Sequence, residues 1–206
     1  MITVHLLRHG QTAWNIERRF LGRTDIALDS VGTEQVLRLA NVFPATEAFY
    51  SSPLIRAWAT AVGVSGTAPL VADSALVEMH MGVLEGLGAD EALLRYGSLF
   101  QQFRSDPSTV VIPEGETLAQ AAERMTAAWT RIVLPSGLNT VAIVSHQMAL
   151  SGLLCRLTGA PLSAYREFTQ RNTAWTTVIV DPARPLDPAG IRVIARDHAP
   201  HLVDMG

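Results

Sequence analysis

Apolar positions in this chain recur with two different periods, and the switches between them mark out its elements. Thr3-Val4-His5-Leu6-Leu7 is a compact β-forming run, so residues 2–8 read as a buried strand. Residues 9–28 are polar and turn-rich and read as a loop. Asp29-Ser30 then caps a helix over about 31–41, where Val31, Gln35-Val36 and Leu39-Ala40 fall at helical spacing. Ala48-Phe49-Tyr50 is a short strand that runs into Ser51-Ser52-Pro53. Serine as cap and proline at the first helical position predict a helix start there, with Arg56 near its first turn.

Residues 66–88 are punctuated by glycines and carry no clear period. Asp90 to about Arg104 reads as an amphipathic helix. Pro113-Glu114-Gly115-Glu116-Thr117 opens another that runs to about Leu134. Thr140 to Ser145 is a β-branched strand ending at His146, followed by a helix over about 148–157. Residues 176–180 and 191–195 read as late strands, with a turn or hairpin over 182–190. The order β-α-β-α, then α-β-α-β, predicts one domain over residues 1–206: a three-layer α/β/α sandwich with a mostly parallel central sheet. Residues 86–114 are expected to form a small helical cap over the substrate.

Composition narrows the chemistry. The 206 residues are 48% apolar and 17% charged, with a formal net charge of −3. A compact soluble domain fits these values, and a nucleic-acid partner does not. No apolar run approaches the ~18 residues of a membrane span, and no basic leader precedes the first strand, so a cytoplasmic location is expected. The single cysteine, Cys155, is compatible with that reducing location. All 16 basic residues are arginines. This excludes a lysine Schiff base and a P-loop lysine. A Cys-x5-Arg phosphatase site is also excluded, because Pro161 stands where its arginine would fall.

Two strands end in histidine, at Arg8-His9 and at Ser145-His146. Side by side in a parallel sheet, they would present both histidines at one sheet edge, where open α/β sheets bind ligands. The Ser51-Ser52-Pro53 edge launches the helix bearing Arg56. Two histidines, two arginines and a helix N-terminus suit a phosphoryl group. Gly10, next in the chain, is expected to let the backbone approach that ligand closely.

Leu7-Arg8-His9-Gly10-Gln11-Thr12-Ala13-Trp14-Asn15 resembles the signature of the histidine phosphatase superfamily, also called the phosphoglycerate-mutase-like family. The likeness continues through Gly22-Arg23-Thr24-Asp25-Ile26-Ala27-Leu28 and Ser51-Ser52-Pro53-Leu54-Ile55-Arg56-Ala57. It also covers Leu76-Val77-Glu78 with Gly82 and Glu85-Gly86, Pro113-Glu114-Gly115-Glu116-Thr117, and Val144-Ser145-His146-Gln147. The resemblance implies that His9 is the nucleophile. It implies that Arg8, Arg56 and His146 grip the phosphoryl oxygens, with Asn15 and Gln147 assisting, and that Glu78 is the general acid. It extends the substrate-binding set to Thr12, Leu21 and Gly22. No metal and no cofactor are expected, the implied partner is a small phosphorylated metabolite, and the chain is expected to be a monomer or homodimer.

The residues leave rival uses. A metal hydrolase would need ligand spacing of the H-E-x-x-H kind, and the chain has none. A weak phosphate-binding regulatory module would not need His9, Glu78 and His146 together. Mutases of the family usually carry extra basic residues in an insertion, yet Gly86 to Glu114 holds only Arg95 and Arg104, which favours a phosphatase. A finer likeness to α-ribazole phosphatase rests on Glu78-Met79 and on residues following Ser145-His146-Gln147, most of them packing positions; a sugar phosphate is an equal candidate. Leu21 stands where many relatives have glutamine, which suggests a different or more apolar leaving group. His80 is read as a pocket-lining or a solvent-facing residue, and His198 and His201 as uninvolved tail residues.

Overall fold

The structure is a computed structural model that describes residues 1–134 and 137–203. Six strands form one sheet in the order β3-β2-β4-β1-β5-β6. They are β1 (Ile2–Arg8), β2 (Ala48–Ser51), β3 (Leu70–Ala72), β4 (Thr140–Ser145), β5 (Trp175–Val180) and β6 (Ile191–His198). β3, β2, β4 and β1 pair in parallel, while β5 runs antiparallel to β1 and β6 antiparallel to β5. The sheet is therefore mixed, and β5 is its one reversed strand among the described residues. The hairpin expected between the late strands is present.

The alternation of side chains in these strands feeds two cores. Val4 and Leu6 of β1, with Val141 and Ile143 of β4, join one cluster with the buried stripes of α5 (Leu118–Val133) and α6 (Gln147–Thr158). Leu7, Ala142, Val144 and Phe49 face the other way, onto Leu39 of α2 (Ser30–Ala40) and Ala57 and Ala61 of α3 (Ile55–Ser65). Helices on both faces complete the three layers. α5 shows why the sequence folds so: Leu118, Ala121, Ala122, Met125, Ala128, Trp129 and Ile132 are buried at helical spacing. Thr117 and Gln120 close its N-terminus as a reciprocal capping box. The Trp129 side chain is fully buried and its indole N–H donates to Pro185 O at 2.9 Å, so truncation to alanine should cost about 3–5 kcal/mol.

Several local expectations are corrected. The 9–28 loop contains a single helical turn, α1 (Ala13–Ile16), capped through Thr12 and Asn15. The glycine-punctuated stretch holds the edge strand β3, which is only three residues long and leaves no period to read. α3 begins at Ile55, not at Pro53. The Ser52 hydroxyl bonds His146 and also accepts the Leu54 N–H at 3.2 Å, while the helix-opening N–H of Ile55 is met by Asp25 Oδ1 at 2.7 Å. α4 (Ala89–Ser105) occupies most of the expected cap but has non-helical backbone at Tyr96, so its two halves take different directions. Gly10 serves packing: a Cβ there would meet Gly32 O at 2.9 Å, where the loop crosses the start of α2.

Candidate active site

Register places the two histidines. β1 pairs with β4 so that Arg8 lies opposite Ser145, which makes His9 and His146 neighbours at the same sheet edge. Their ring centroids are 5.0 Å apart. The backbone continues the ladder beyond the strands, with His9 N–H donating to Ser145 O at 3.1 Å and Ser52 N–H to Val144 O at 2.9 Å. A slip of one residue would send every β1 side chain to the wrong face, so the two cores hold this juxtaposition.

His9 is buried, and its Nδ1 lies 2.7 Å from Gly10 O. A carbonyl only accepts, so Nδ1 carries the proton and Nε2 keeps its lone pair. Burial, then the charges of Arg56 and Arg8, hold the imidazole pKa well below its usual value. A neutral ring with a free Nε2 pair is a nucleophile in its reactive form. His146 is likewise held neutral by burial, then by Arg56 and His9. Its Nε2 is 2.8 Å from Ser52 Oγ, which also accepts the Leu54 N–H at 3.2 Å. In the tautomer where the serine hydroxyl donates to Nε2, the ring proton sits on Nδ1.

Three buried donors in this region have no protein partner: Arg8 Nε, Arg56 Nε and His146 Nδ1. Buried polar atoms are normally paired, so such a cluster asks for an acceptor. Arg56 is fully buried; its Nη1 donates to Thr24 O at 2.9 Å and its Nη2 to Gly22 O at 2.6 Å. Arg8 Nη1 donates to the Gln147 carboxamide and, at 2.6 Å, to Gln170 O. Burial pushes the Arg8 pKa down to about 10, which leaves it charged near neutrality.

Glu78 enters from the loop before the turn at Gly82–Leu84 and is buried. Its Oε1 accepts from Met79 N at 2.8 Å and Ala149 N at 3.0 Å, and its Oε2 from Met148 N at 3.2 Å. The carboxyl group therefore caps the first turn of α6 from a distant loop. Those backbone donors and Arg56 favour the charged form, but burial outweighs them and raises the pKa. Arg124 braces the loop by donating to Ala75 O at 2.6 Å and Val77 O at 2.9 Å, while pairing with Glu116 at 2.9 Å.

A cleft of about 200 Å³ opens onto His9. Of the residues expected there, Arg8, Asn15, Leu21, Glu78 and Gln147 line it with His9, while the fully buried Arg56 and His146 lie behind them. Thr12 and Gly22 do not line it. The Thr12 hydroxyl bonds Asn15 Oδ1 at 3.1 Å, and Gly22 serves through its carbonyl and its lack of a Cβ, which would meet Glu85, Met81 and Met79 within 2.9 Å. Asn15 Oδ1 is occupied by Thr12 and Asn172, and this orients the side chain at the cleft wall.

Arg19, Phe20, Met81, Phe103 and Met148 also line the cleft and were not foreseen. Nor was the segment Gln170–Thr173, whose groups hold the Arg8 and His9 backbone; Asn172 Nδ2 donates to His9 O at 3.0 Å. Its polar run before a strand was the available signal. His80 is a loop brace whose Nδ1 accepts the Gly82 N–H at 2.9 Å. His201 bonds Thr173 Oγ1 at 2.8 Å and stacks on Trp175, and His198 packs edge-on against the same ring. Among the described residues no cluster of three or more His, Cys, Asp or Glu side chains is arranged to hold a metal ion, and no helix is long and apolar enough to cross a membrane.

An α/β sheet edge with paired histidines, two arginines of which Arg56 is fully buried, and a buried carboxyl defines a phosphoryl-transfer site. Residues 4–186 match the model of the histidine phosphatase superfamily (branch 1), and the chain belongs to that family. It is a phosphatase or phosphoryl-transfer enzyme of that fold. The probable phosphoglycerate mutase GpmB of Yersinia pestis is 34% identical over 183 residues, which cover 86% of this chain and 85% of the relative. The structure of YhfR of Bacillus stearothermophilus superposes with a TM-score of 0.89 at 29% identity, covering 98% of this chain and 100% of the other. A putative alpha-ribazole-5'-P phosphatase from Escherichia coli shares the fold, with a TM-score of 0.84, 23% identity and coverage of 96% and 97%.

Proposed function

We propose that this protein is a metal-independent phosphomonoesterase that works through a phosphohistidine at His9. The observation that carries the reading is the set of unpartnered buried donors, Arg8 Nε, Arg56 Nε and His146 Nδ1, around an imidazole whose Nε2 is left free. A tetrahedral phosphoryl group would supply the missing acceptors, and its charge is what buried arginines stabilise in the transition state.

In the first step His9 Nε2 attacks phosphorus, the N–P bond forms and the P–O bond to the alcohol breaks. Glu78, whose pKa burial raises, is the proton donor to the leaving oxygen. In the second step Glu78 takes a proton from water, water attacks phosphorus, and the N–P bond breaks to release phosphate. The cleft of about 200 Å³ fits a small phosphorylated metabolite in a monomeric or dimeric cytoplasmic enzyme.

The relative named as a probable phosphoglycerate mutase supports a second reading, phosphoryl transfer back to a phosphoglycerate. The experiment that separates the two is rapid quenching with a labelled phosphomonoester. A base-stable, acid-labile phosphoryl group on His9 that is passed to water supports the phosphatase. Passage to 3-phosphoglycerate supports the mutase, and a label on serine or threonine defeats both.

A further inference from the structure

Above the phosphoryl floor the cleft changes character. We infer that the preferred substrates are phosphomonoesters whose leaving alcohol carries a flat apolar body, and that Leu21 and Phe103 determine this specificity. The inference rests on the phosphomonoesterase reading and names its substrate class.

Five of the eleven cleft-lining residues are apolar: Phe20, Leu21, Met81, Phe103 and Met148. Most of these side chains have a second job in the core. Met81, Phe103 and Met148 belong to the larger hydrophobic cluster, and Phe20 packs against it. Leu21 belongs to neither cluster, although it is partly buried and lines the cleft. Core packing therefore does not account for a leucine at this position, and contact with an apolar ligand does.

The wall opposite the histidines is held in place. Phe20 N–H donates to Leu87 O at 3.0 Å, and Phe20 O accepts the Gly86 N–H at 2.8 Å. The Phe20 ring meets Phe103 edge to face at 5.6 Å and Phe100 at 5.9 Å. A fixed aromatic face suits a flat apolar group. Met81 and Met148 are conformationally adaptable and would tolerate variation within that class.

Charge points the same way. Beyond Arg8, the cleft lining holds one cation among the described residues, Arg19. Its Nη1 is bonded to Gly86 O at 2.9 Å and its Nε is paired with Glu17. Arg95 pairs with Glu91, and Arg104 lies over the Phe100 ring. A second anionic group on the alcohol would lose water against apolar side chains and would meet only Arg19, which is already paired with Glu17, so its burial is unfavourable. A carboxylate-bearing or bisphosphorylated alcohol is thus a poor fit for this roof.

The test compares kcat/KM for 2-phenylethyl phosphate, glycerol 1-phosphate and 3-phosphoglycerate, all esters of unactivated alcohols, so leaving-group acidity does not confound the series. The wild-type protein should favour 2-phenylethyl phosphate by about 10- to 100-fold, the usual worth of burying an apolar group of this size. Leu21→Gln should shrink the preference, mainly by raising KM for the apolar ester. Phe103→Ala should do the same, and because Leu21 lies outside both cores the first variant stands even if the second loosens α4. Equal rates on all three esters, preference for 3-phosphoglycerate, or equal losses on every ester in both variants would overturn the specificity inference. Failure to turn over any phosphomonoester, with no label on His9, would instead overturn the phosphatase reading beneath it.

Discussion

The floor and the roof of the cleft are built on opposite principles. The floor is made of polar side chains from two strand ends, from α3 and from a loop, each fixed by hydrogen bonds: His9 to Gly10, His146 to Ser52, Arg56 to Gly22 and Thr24, Glu78 to the start of α6. The roof is made of apolar side chains from separate loops and from the second half of α4, held by aromatic contacts and by few hydrogen bonds. The floor spends buried polar groups to fix where charge develops. The roof sets which molecule carries that charge in. A change in the floor should therefore act on the chemical step for every substrate, and a change in the roof should act on binding for some.

The largest effect should come from His9→Ala. Loss of the nucleophile should lower kcat by at least about 10³-fold on every phosphomonoester and abolish the acid-labile label. Steady-state rates on aryl and alkyl esters check this, and a residual rate above a few per cent would break the assignment of His9 to the floor's chemistry.

Glu78→Gln should follow, with a loss of about 10²- to 10⁴-fold on alkyl esters. The loss should be smaller on p-nitrophenyl phosphate, whose leaving group needs no proton. Phosphohistidine should accumulate after a burst, because the amide cannot deprotonate water. Identical losses on both ester types would remove the proton from Glu78's role.

Arg56→Lys sharpens the comparison, because Arg56 holds both the phosphoryl site and the Gly22–Thr24 loop beneath the roof. A lysine has one compact nitrogen in place of the planar fork, so its three donors cannot occupy the separate positions of Nη1, Nη2 and Nε. We expect about 10²- to 10³-fold lower kcat, as for removal of one oxyanion donor, together with a lowered Tm in thermal unfolding.

Acid should destabilise the fold through its buried histidines, two of which, His9 and His146, stand in the floor. Burial lowers the pKa of His5 to about 4 and of His201 to about 4, and holds His9 and His146 well below 6.5. The unfolded chain then binds more protons than the native one below pH 6.5, so stability falls as pH drops from there towards 4. Each such histidine adds a slope of at most about 1.4 kcal/mol per pH unit. Urea unfolding between pH 7 and 4.5 measures this, and a flat profile would show that these rings are solvated.

The smallest effect belongs to the roof alone. Gly97 follows the break at Tyr96, and a Cβ there would meet nothing within 4 Å. Gly97→Ala should stabilise α4 by about 0.5–1 kcal/mol with kcat unchanged. Destabilisation would show that the break needs glycine.

Much of the floor is legible in the chain because strands announce themselves. β1 and β4 are short apolar runs with a histidine after each, and parallel pairing needs only that they be neighbours. Arg8 and His146 follow from the same pattern, and Arg56 from the helix that starts after the Ser51-Ser52-Pro53 edge. The Ser52-Pro53 start signal misplaces the start of α3, because the N–H that opens the helix at Ile55 is met by Asp25, 30 positions away. The capping of α6 by Glu78 is invisible for the same reason, being a contact across 71 positions. The roof is barely legible: Leu21 stands out by its place before Gly22, but Phe103 is one of two phenylalanines on an amphipathic helix.

The sequence by itself determined the strands, the helical stripes and the residue types at each strand end, because period and local chemistry act over a few positions. Only the tertiary structure decided that His9 and His146 stand 5.0 Å apart. It also decided that Glu78 is buried, which raises its pKa, and that Phe103 lines the cleft. Those outcomes depend on sheet register, desolvation and the packing of distant segments, which no local stretch of chain contains.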